Sequence, residues 1–199
     1  MYCPQPMFNL IQCLSGLPGI GEKTATRLAL FIMNQSETDA LQLARSIINV
    51  KEKVRLCTRC FNFSDSDECA ICRNPSRDAH QLCVVETPGD LMSIEKAGHY
   101  KGLYHVLHGA IAPLDGVGPD QLKISELLQR VSSGAVQEII LATNPTVSGN
   151  ATALYISQQV SAASVRITRI AQGVPSGGDI EYIDEGTLRS AFDGRREMK

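Results

Sequence analysis

Four cysteines within sixteen residues constrain the fold of this 199-residue chain more than any other feature. Cys57-x2-Cys60 is followed, after eight residues, by Cys69-x2-Cys72. This is the spacing of two knuckles that offer four thiolates to one zinc ion. The segment has few apolar side chains of its own, so the metal must supply the free energy that folds it. Because sulfur fills all four ligand positions, we expect one structural zinc per chain and no open position for water.

The expected compartment supports metal binding over disulfides. The first six residues lack a basic stretch that feeds an apolar one, so no secretory signal is expected. The longest wholly apolar run, Leu28 to Met33, is far shorter than the ~20 residues of a membrane helix. We therefore expect a cytoplasmic protein with reduced thiols, and free or redox-active cysteines are the alternative to a zinc site.

Hydrophobic periodicity predicts a helical front. Apolar residues at intervals of three and four indicate helices over 7–14 and 22–33. A third helix is predicted to begin after the cap residue Ser36 and to run to the basic stretch at 51–55. Its expected buried stripe is Leu41, Ala44, Ile47 and Ile48.

From Gln81 onward, short apolar runs alternate with helical stretches, which is typical of a parallel sheet covered on both faces. Strands are predicted at 82–85, 103–107, 139–142 and 164–170, and helices at 89–97, 124–131 and 150–160. A short strand near 180–183 and a last helix around 187–192 follow a link rich in Gly and Pro. The expected domains are 1–55, 56–73, 80–172 and 173–199.

A glycine-rich turn at 17–21 joins the first two helices. Gly19 and Gly21 are both expected to take conformations that a side chain would forbid, so the backbone can approach a ligand closely. The start of the second helix favours a phosphate, and Lys23 and Arg27 lie four residues apart on one face. The segment resembles a helix-hairpin-helix, a motif that grips the DNA backbone without reading bases. These four residues are the candidate DNA-binding residues.

Two other interpretations of this turn compete with that one. Gly16 and Gly21 have the spacing of a nucleotide-binding loop, but Glu22 moves Lys23 one residue out of register, and a helix stands where that loop needs a strand. An ordinary helix corner with surface charges is the second. The net charge of −2 divides into +3 for residues 1–60 and −5 for residues 61–199, which favours the front as the place where a polyanion binds.

Acidic residues lie at the predicted carboxyl edge of the sheet, where ligands of such sheets gather. Glu86 follows the first strand and Asp90 opens the next helix. The region resembles the Toprim domain of topoisomerases and primases, in which a glutamate and an Asp-x-Asp pair hold magnesium. Glu86 matches the glutamate, but the pair falls on Asn144 and Thr146, which carry no charge. Because magnesium prefers carboxylates, we expect Glu86 and Asp90 to serve a partner rather than a metal. The four histidines show no metal-ligand spacing and are expected in loops or on the surface.

The hairpin, the cysteine quartet and the Toprim-like segment, in this order, resemble the RecR family of bacterial recombination mediators. The telling segments are 17–23, the quartet, 103–109, 113–116, 142–147 and 173–175. The implied fold class is α/β: an N-terminal helix-hairpin-helix domain, a small four-cysteine zinc module, a Toprim-like parallel-sheet domain, and a short C-terminal strand and helix.

The resemblance implies a non-catalytic DNA clamp of recombinational repair, a homo-oligomer forming a tetrameric ring. It implies sequence-independent binding of single- and double-stranded DNA, and work with RecO and RecF to load RecA at gaps. It also implies that Gly19, Gly21, Lys23 and Arg27 contact DNA, that Cys57, Cys60, Cys69 and Cys72 bind zinc, and that Glu86 is the Toprim acid.

Two segments add detail to the resemblance. Asp179 to Asp184 would be a terminal Walker-B-like stretch, whereas Ser148-Gly149-Asn150 replaces the family's usual Glu-Gly-Glu and removes two negative charges from the edge that would meet a basic partner. The competing hypotheses are a Mg2+-dependent Toprim-type nuclease or primase acting through Glu86 and Asp90, and a zinc scaffold that joins other proteins without binding nucleic acid.

Overall fold

The computed structural model describes residues 3–160 and 165–197. Contacts divide the chain into two compact units, Met1–Val54 and Arg55–Lys199. The first unit consists of the helices α1 (Gln5–Ser15), α2 (Glu22–Asn34) and α3 (Glu37–Lys53), which confirms the predicted helical front. Its small core forms where α1 meets α2, with Ile11, Ala25 and Ala29 buried.

The predicted buried stripe on α3 is wrong. Ser36 caps the helix as expected, with its Oγ accepting from the backbone N–H of Asp39 at 3.1 Å. However, no residue of α3 is buried, and Leu41, Ile47 and Ile48 are 47%, 61% and 53% exposed. An amphipathic pattern shows that one face favours burial but not which surface covers it. Nothing in the described part of the chain buries the α3 face.

The second unit begins with the cysteine-rich segment. Two short antiparallel strands, β1 (Arg55–Leu56) and β2 (Phe63–Ser64), pair across the first knuckle. A single helical turn, α4 (Ala70–Arg73), begins after Cys69 and contains Cys72 of the second knuckle. The segment therefore has little regular structure of its own.

A four-stranded sheet follows, and all its strands are parallel. β3 (Asp78–Val85), β4 (Gly102–Val106), β5 (Glu138–Leu141) and β6 (Arg166–Arg169) stand in the order β4-β3-β5-β6. The helices α5 (Pro88–Ala97), α6 (Ile124–Ser132) and α7 (Val147–Val160) connect them. The predicted alternation is thus confirmed, and the first residue of the predicted last strand, Ser164, lies outside the described residues.

The sheet is buried on both faces, as a parallel sheet requires. On one face, Leu82, Val84 and Ile139 pack with Leu127 of α6 and Ile156 of α7. On the other face, Cys83, Val85 and Tyr104 pack with Leu91 of α5. The carboxyl edge of this sandwiched sheet is where β3 and β5 end side by side.

The predicted strand at 180–183 is wrong, whereas the helix after it is present as α8 (Glu185–Asp193). Ile180–Tyr182 forms a 3-10 turn, and Tyr182 N–H donates to the carbonyl of Asp179 at 3.2 Å. Ile180 and Tyr182 are largely exposed, so this segment does not join the sheet. A turn with i to i+3 bonds satisfies the backbone locally, without a neighbouring strand. Among the described residues, none of the helices has both the length and the apolar character to cross a bilayer.

Candidate nucleic-acid, metal and acidic sites

The turn between α1 and α2 is held by an internal hydrogen bond, and its two glycines are exposed to solvent. Ile20 N–H donates to the carbonyl of Leu17 at 3.0 Å, and Ile20 packs into the α1–α2 core. Gly19 has φ +78°, a left-handed conformation that favours glycine. Gly21 differs from the expectation, because its φ is −78° and any residue could adopt it. Gly21 instead serves as the N-cap of α2, with open space where a Cβ would lie.

The two candidate cations of this hairpin are available to a ligand. Lys23 and Arg27 are exposed, and neither forms an ion pair within the described part of the chain. No side chain caps the N-terminus of α2, so its first N–H groups also face outward. Two free cations next to uncapped N–H groups form a surface suited to phosphate.

The four cysteines of the two knuckles come together in a buried cluster. The sulfur atoms of Cys57, Cys60, Cys69 and Cys72 all lie within 4.8 Å of one another, and Cys60 Sγ is 3.5 Å from Cys69 Sγ. A zinc tetrahedron with bonds of about 2.3 Å separates its sulfurs by about 3.8 Å. The donor set and its spacing therefore fit one zinc ion with no open position.

Charge explains why this cluster needs a cation. Hydrogen bonding between the two thiols raises the pKa of Cys60 well above its usual range and lowers that of Cys69. Close sulfurs resist ionising together, because each thiolate repels the next. A divalent cation removes that repulsion and allows all four to ionise.

The cysteine module is joined to the sheet by hydrogen bonds. Val106 N–H at the end of β4 donates to the carbonyl of Cys60 at 2.8 Å, and His108 Nε2–H donates to the carbonyl of Phe61 at 2.7 Å. Arg130 on α6 donates to the carbonyls of Arg59 at 3.2 Å and Tyr104 at 2.7 Å. These bonds make the module part of the second compact unit.

Two residues of this junction were not singled out from the sequence. His105, expected in a loop or on the surface, is fully buried in β4, where its ring meets the edge of Phe61 at 5.3 Å between centroids. Its position inside the apolar run 103–107 was a usable signal, since strands of a parallel sheet are buried on both faces. Arg130 has no comparable signal, because one cation in the last turn of a helix is common.

At the carboxyl edge of the sheet, both carboxylate oxygens of Glu86 accept hydrogen bonds from within the protein. Its side chain is only 8% exposed. The backbone N–H of Asn144 donates to Oε1 at 2.8 Å, and Asn144 Nδ2 donates to Oε2 at 2.8 Å. The structure thus brings together two of the positions that the sequence aligns with a metal site, but as a carboxylate and an amide that bind each other.

The second acid at this edge, Asp90, is used by its own helix. Asp90 Oδ2 accepts from the N–H of Thr87 at 2.8 Å and from its hydroxyl at 2.7 Å. Thr87 Oγ1 accepts in return from Asp90 N–H, so the two residues form a capping box at the start of α5. Asp90 is partly exposed, so its charge also faces solvent.

Models of known protein families match four consecutive parts of the chain. The RecR helix-hairpin-helix model matches residues 8–51 and the RecR four-cysteine zinc finger model matches residues 54–74. The Toprim domain model matches residues 80–171 and the RecR C-terminal model matches residues 173–196. The order is the one that the sequence motifs predict.

Curated relatives are similar over nearly the full chain. The chain is 53% identical to the recombination protein RecR of Koribacter versatilis over 194 residues, which is 98% of both chains. It is 52% identical to the recombination protein RecR of Myxococcus xanthus over 195 residues, 98% of this chain and 99% of the relative. With Pelotomaculum thermopropionicum RecR the identity is 52% over 198 residues. The zinc finger match and the buried cysteine cluster together support a structural zinc.

Proposed function

The chain belongs to the RecR family of recombination proteins, and from this premise we propose that it is a non-catalytic DNA clamp that acts with RecO and RecF to load RecA at single-stranded gaps. A role in recombinational DNA repair follows from the family, as does DNA binding through the helix-hairpin-helix domain. The partners, the assembly and the individual site residues are the proposal.

The main support for the proposal of a DNA clamp is the exposed hairpin between α1 and α2. Gly19 and Gly21 leave room for a close approach, while Lys23 and Arg27 are free of ion pairs with the described residues. Contacts with phosphates fix a nucleic acid in place without reading its sequence. We therefore propose these four residues as the DNA-binding set, for single- and double-stranded DNA alike.

The first experiment replaces Lys23 and Arg27 with alanine. Affinity for DNA should fall roughly tenfold or more for every sequence, because two charge-assisted bonds are lost. The slope of log affinity against log salt should become shallower by about 2 for duplex DNA. A gel-shift titration over several salt concentrations measures both quantities.

The matched control replaces Lys96 and Lys101, two exposed cations of the second unit, and removes the same charge. Its affinity and its salt slope should stay near those of the unaltered chain. Equal losses in both variants would mean that net charge, and not the hairpin, binds DNA. An unchanged affinity in the hairpin variant would refute the clamp.

We propose that the chain performs no phosphoryl-transfer chemistry. Both oxygens of Glu86 accept from Asn144, and the Asp-x-Asp positions are Asn144 and Thr146. Carboxylates are the usual ligands through which proteins hold magnesium for such chemistry. Mg2+-dependent cleavage or primer synthesis that Glu86→Gln abolishes would favour the nuclease or primase hypothesis instead.

The exposed apolar face of α3 supports the proposed homo-oligomer. Leu41, Ile47 and Ile48 of α3 are uncovered, as are Phe31 and Met33 of α2. Large apolar side chains exposed on two neighbouring helices in the sequence are typical of an interaction site. We propose that a second copy of the chain covers these apolar residues and that four copies close into a ring.

Light scattering tests the proposed ring. The molar mass, with and without gapped DNA, should exceed that of one 21.6 kDa chain, and a monomer at micromolar concentration would contradict the ring.

For RecO, we propose the acidic edge with Glu86 and Asp90 as the contact. Asp90 is partly exposed and presents charge, whereas Glu86 is buried and shapes the edge. Ser148 and Asn150 are neutral, so the attraction for a basic partner depends on fewer charges here. Calorimetry with purified RecO should show binding that weakens as salt rises.

A further inference from the structure

One residue holds Glu86 from two directions. Asn144 lies 58 positions further along the chain, and it donates from its backbone N–H to Oε1 and from its side-chain amide to Oε2, each at 2.8 Å. We call this pair the Glu86–Asn144 clasp. Glu86 is only 8% exposed, so these two bonds supply hydrogen-bond donors to a carboxylate that burial largely removes from water.

The clasp lies in the segment 143–150, which comprises the loop after β5 and the first residues of α7 and is called the turn below. Within this turn, Thr143 Oγ1 donates to the carbonyl of Gly149 at 2.8 Å, and Gly149 N–H donates to Thr146 Oγ1 at 3.0 Å. Gly149 lies directly against the clasp, because a Cβ built on it would be 2.1 Å from the carbonyl oxygen of Asn144 and 2.6 Å from Glu86 Oε1. The turn therefore closes around the clasp, and the position of one depends on the other.

We propose that Asn144 is a positioning residue that takes the structural place of a divalent cation between two carboxylates at this edge. Its two hydrogen bonds satisfy the carboxylate oxygens of Glu86 and hold the turn in place. The inference rests on the proposed function, since a non-catalytic clamp uses the shape of this edge but not a metal. A carboxylate at position 144 would face the carboxylate of Glu86 at hydrogen-bond distance. Two anions that close repel each other unless a cation lies between them.

The decisive variant is Asn144→Asp, which keeps the size of the side chain and replaces a donor with an anion. In buffer free of divalent cations it should melt several degrees below the unaltered chain. Millimolar Mg2+ or Ca2+ should recover most of that loss, because the cation bridges the two carboxylates. The unaltered chain should show no such response. Thermal melting with and without each cation measures the effect, and calorimetric titration with MgCl2 checks binding directly.

A reciprocal exchange provides the second variant. In the double variant Glu86→Gln/Asn144→Asp, the amide of residue 86 can donate to the carboxylate of residue 144, and its oxygen can accept the backbone N–H. This chain should melt close to the unaltered one without any cation and should not respond to Mg2+. The matched control, Asn144→Ala, removes the side-chain bond to Oε2 without adding charge and keeps the backbone bond to Oε1, so it should melt lower and should not respond to Mg2+.

Three outcomes would refute the proposed role of Asn144. The first is that Mg2+ stabilises the unaltered chain and that Glu86→Gln abolishes this effect. The second is that no cation stabilises the Asn144→Asp chain, and the third is that the double variant is as unstable as Asn144→Asp alone. If Asn144→Asp does not fold without a cation, a folded double variant still supports the proposal, and failure of both refutes it. DNA affinity of the unaltered chain is measured on the same preparation. Its loss would refute the DNA clamp and leave the clasp standing.

Discussion

The hairpin of the first unit and the acidic edge of the second both present charged side chains where a ligand is expected. At the hairpin, Lys23 and Arg27 are exposed and free of ion pairs among the described residues, so their charges are available. At the edge, Glu86 binds Asn144 and Asp90 binds Thr87. A charged residue near a plausible site is therefore weak support for a ligand until its internal partners are known.

The two regions also differ in what stabilises them. The core of the first unit buries only Ile11, Ala25 and Ala29 among the described residues, whereas the second unit buries a sheet on both faces and adds a cysteine cluster. A small core with an uncovered apolar face gains stability from a partner surface. We expect the first unit to depend on assembly and the second on its own contacts and its zinc.

The largest expected effect comes from the zinc site. Cys60→Ser should abolish zinc binding and unfold the cysteine module, because a structural zinc contributes on the order of 10 kcal/mol. Native mass spectrometry should find one zinc in the unaltered chain and none in the variant. Hydrogen exchange should rise over residues 55–74 and in β4, which bonds to Cys60, but not in α1 or α2.

Cys83→Ser is the matched control, since Cys83 is a buried cysteine of the same unit outside the cluster. It should keep its zinc. If Cys60→Ser retained zinc, the four-sulfur site would be refuted. If hydrogen exchange in Cys60→Ser rose equally in both units, the stability of the first unit would also depend on zinc, contrary to the prediction.

The next effect is a pH dependence confined to the second unit. Burial lowers the pKa of His105 to about 4, below its ordinary value. His105 therefore becomes protonated near pH 6.5 in the unfolded chain but only near pH 4 in the folded chain. The contribution of neutral His105 to the free energy of unfolding is complete above pH 6.5, and about 3 kcal/mol of it is lost as the pH falls through this window.

Urea unfolding from about pH 7 to about pH 4.5 measures this dependence. His105→Gln should show a shallower fall over the same window, while acid release of zinc affects both chains alike. Equal slopes in the two chains would show that His105 is not the group responsible. The variant also loses packing against Phe61, so the slopes rather than the absolute stabilities are compared.

The sequence was sufficient wherever structure depends on neighbouring residues. The cysteine spacing predicted the cluster, and the helical period predicted α2 to within one residue at its end. The alternation after residue 81 predicted a parallel sheet. Each of these signals is local or periodic, so one sequence is enough to recognise it.

The sequence was insufficient where structure depends on which elements become neighbours. The clasp exists because β5 pairs with β3 although β4 lies between them in the chain, with Val84 opposite Leu141. Strand order does not follow from the pattern of each strand. The exposed face of α3 has the same origin, because amphipathicity does not reveal what covers a helix.

The smallest expected effect concerns two helix caps, one in each unit. Asp90 accepts from Thr87 at the start of α5, and Asp39 accepts from the hydroxyl of Ser36 at 2.6 Å at the start of α3. Asp90→Ala and Asp39→Ala should each lower the free energy of unfolding by about 1 kcal/mol, since each loses the carboxylate that accepts from the capping residue, Thr87 or Ser36. Urea titration at neutral pH measures both losses.

The asparagine variants separate the cap from the charge. An amide oxygen can still accept from the capping residues, so Asp90→Asn and Asp39→Asn should each lose less stability than the alanine variants. If Asp90 also meets RecO, Asp90→Asn alone should weaken RecO binding, and the loss should shrink at high salt because the contact is electrostatic. Equal RecO affinity of Asp90→Asn, Asp39→Asn and the unaltered chain would show that Asp90 acts only as a cap. Neither proposed partner acid would then contribute charge to RecO, because Glu86 is buried against Asn144.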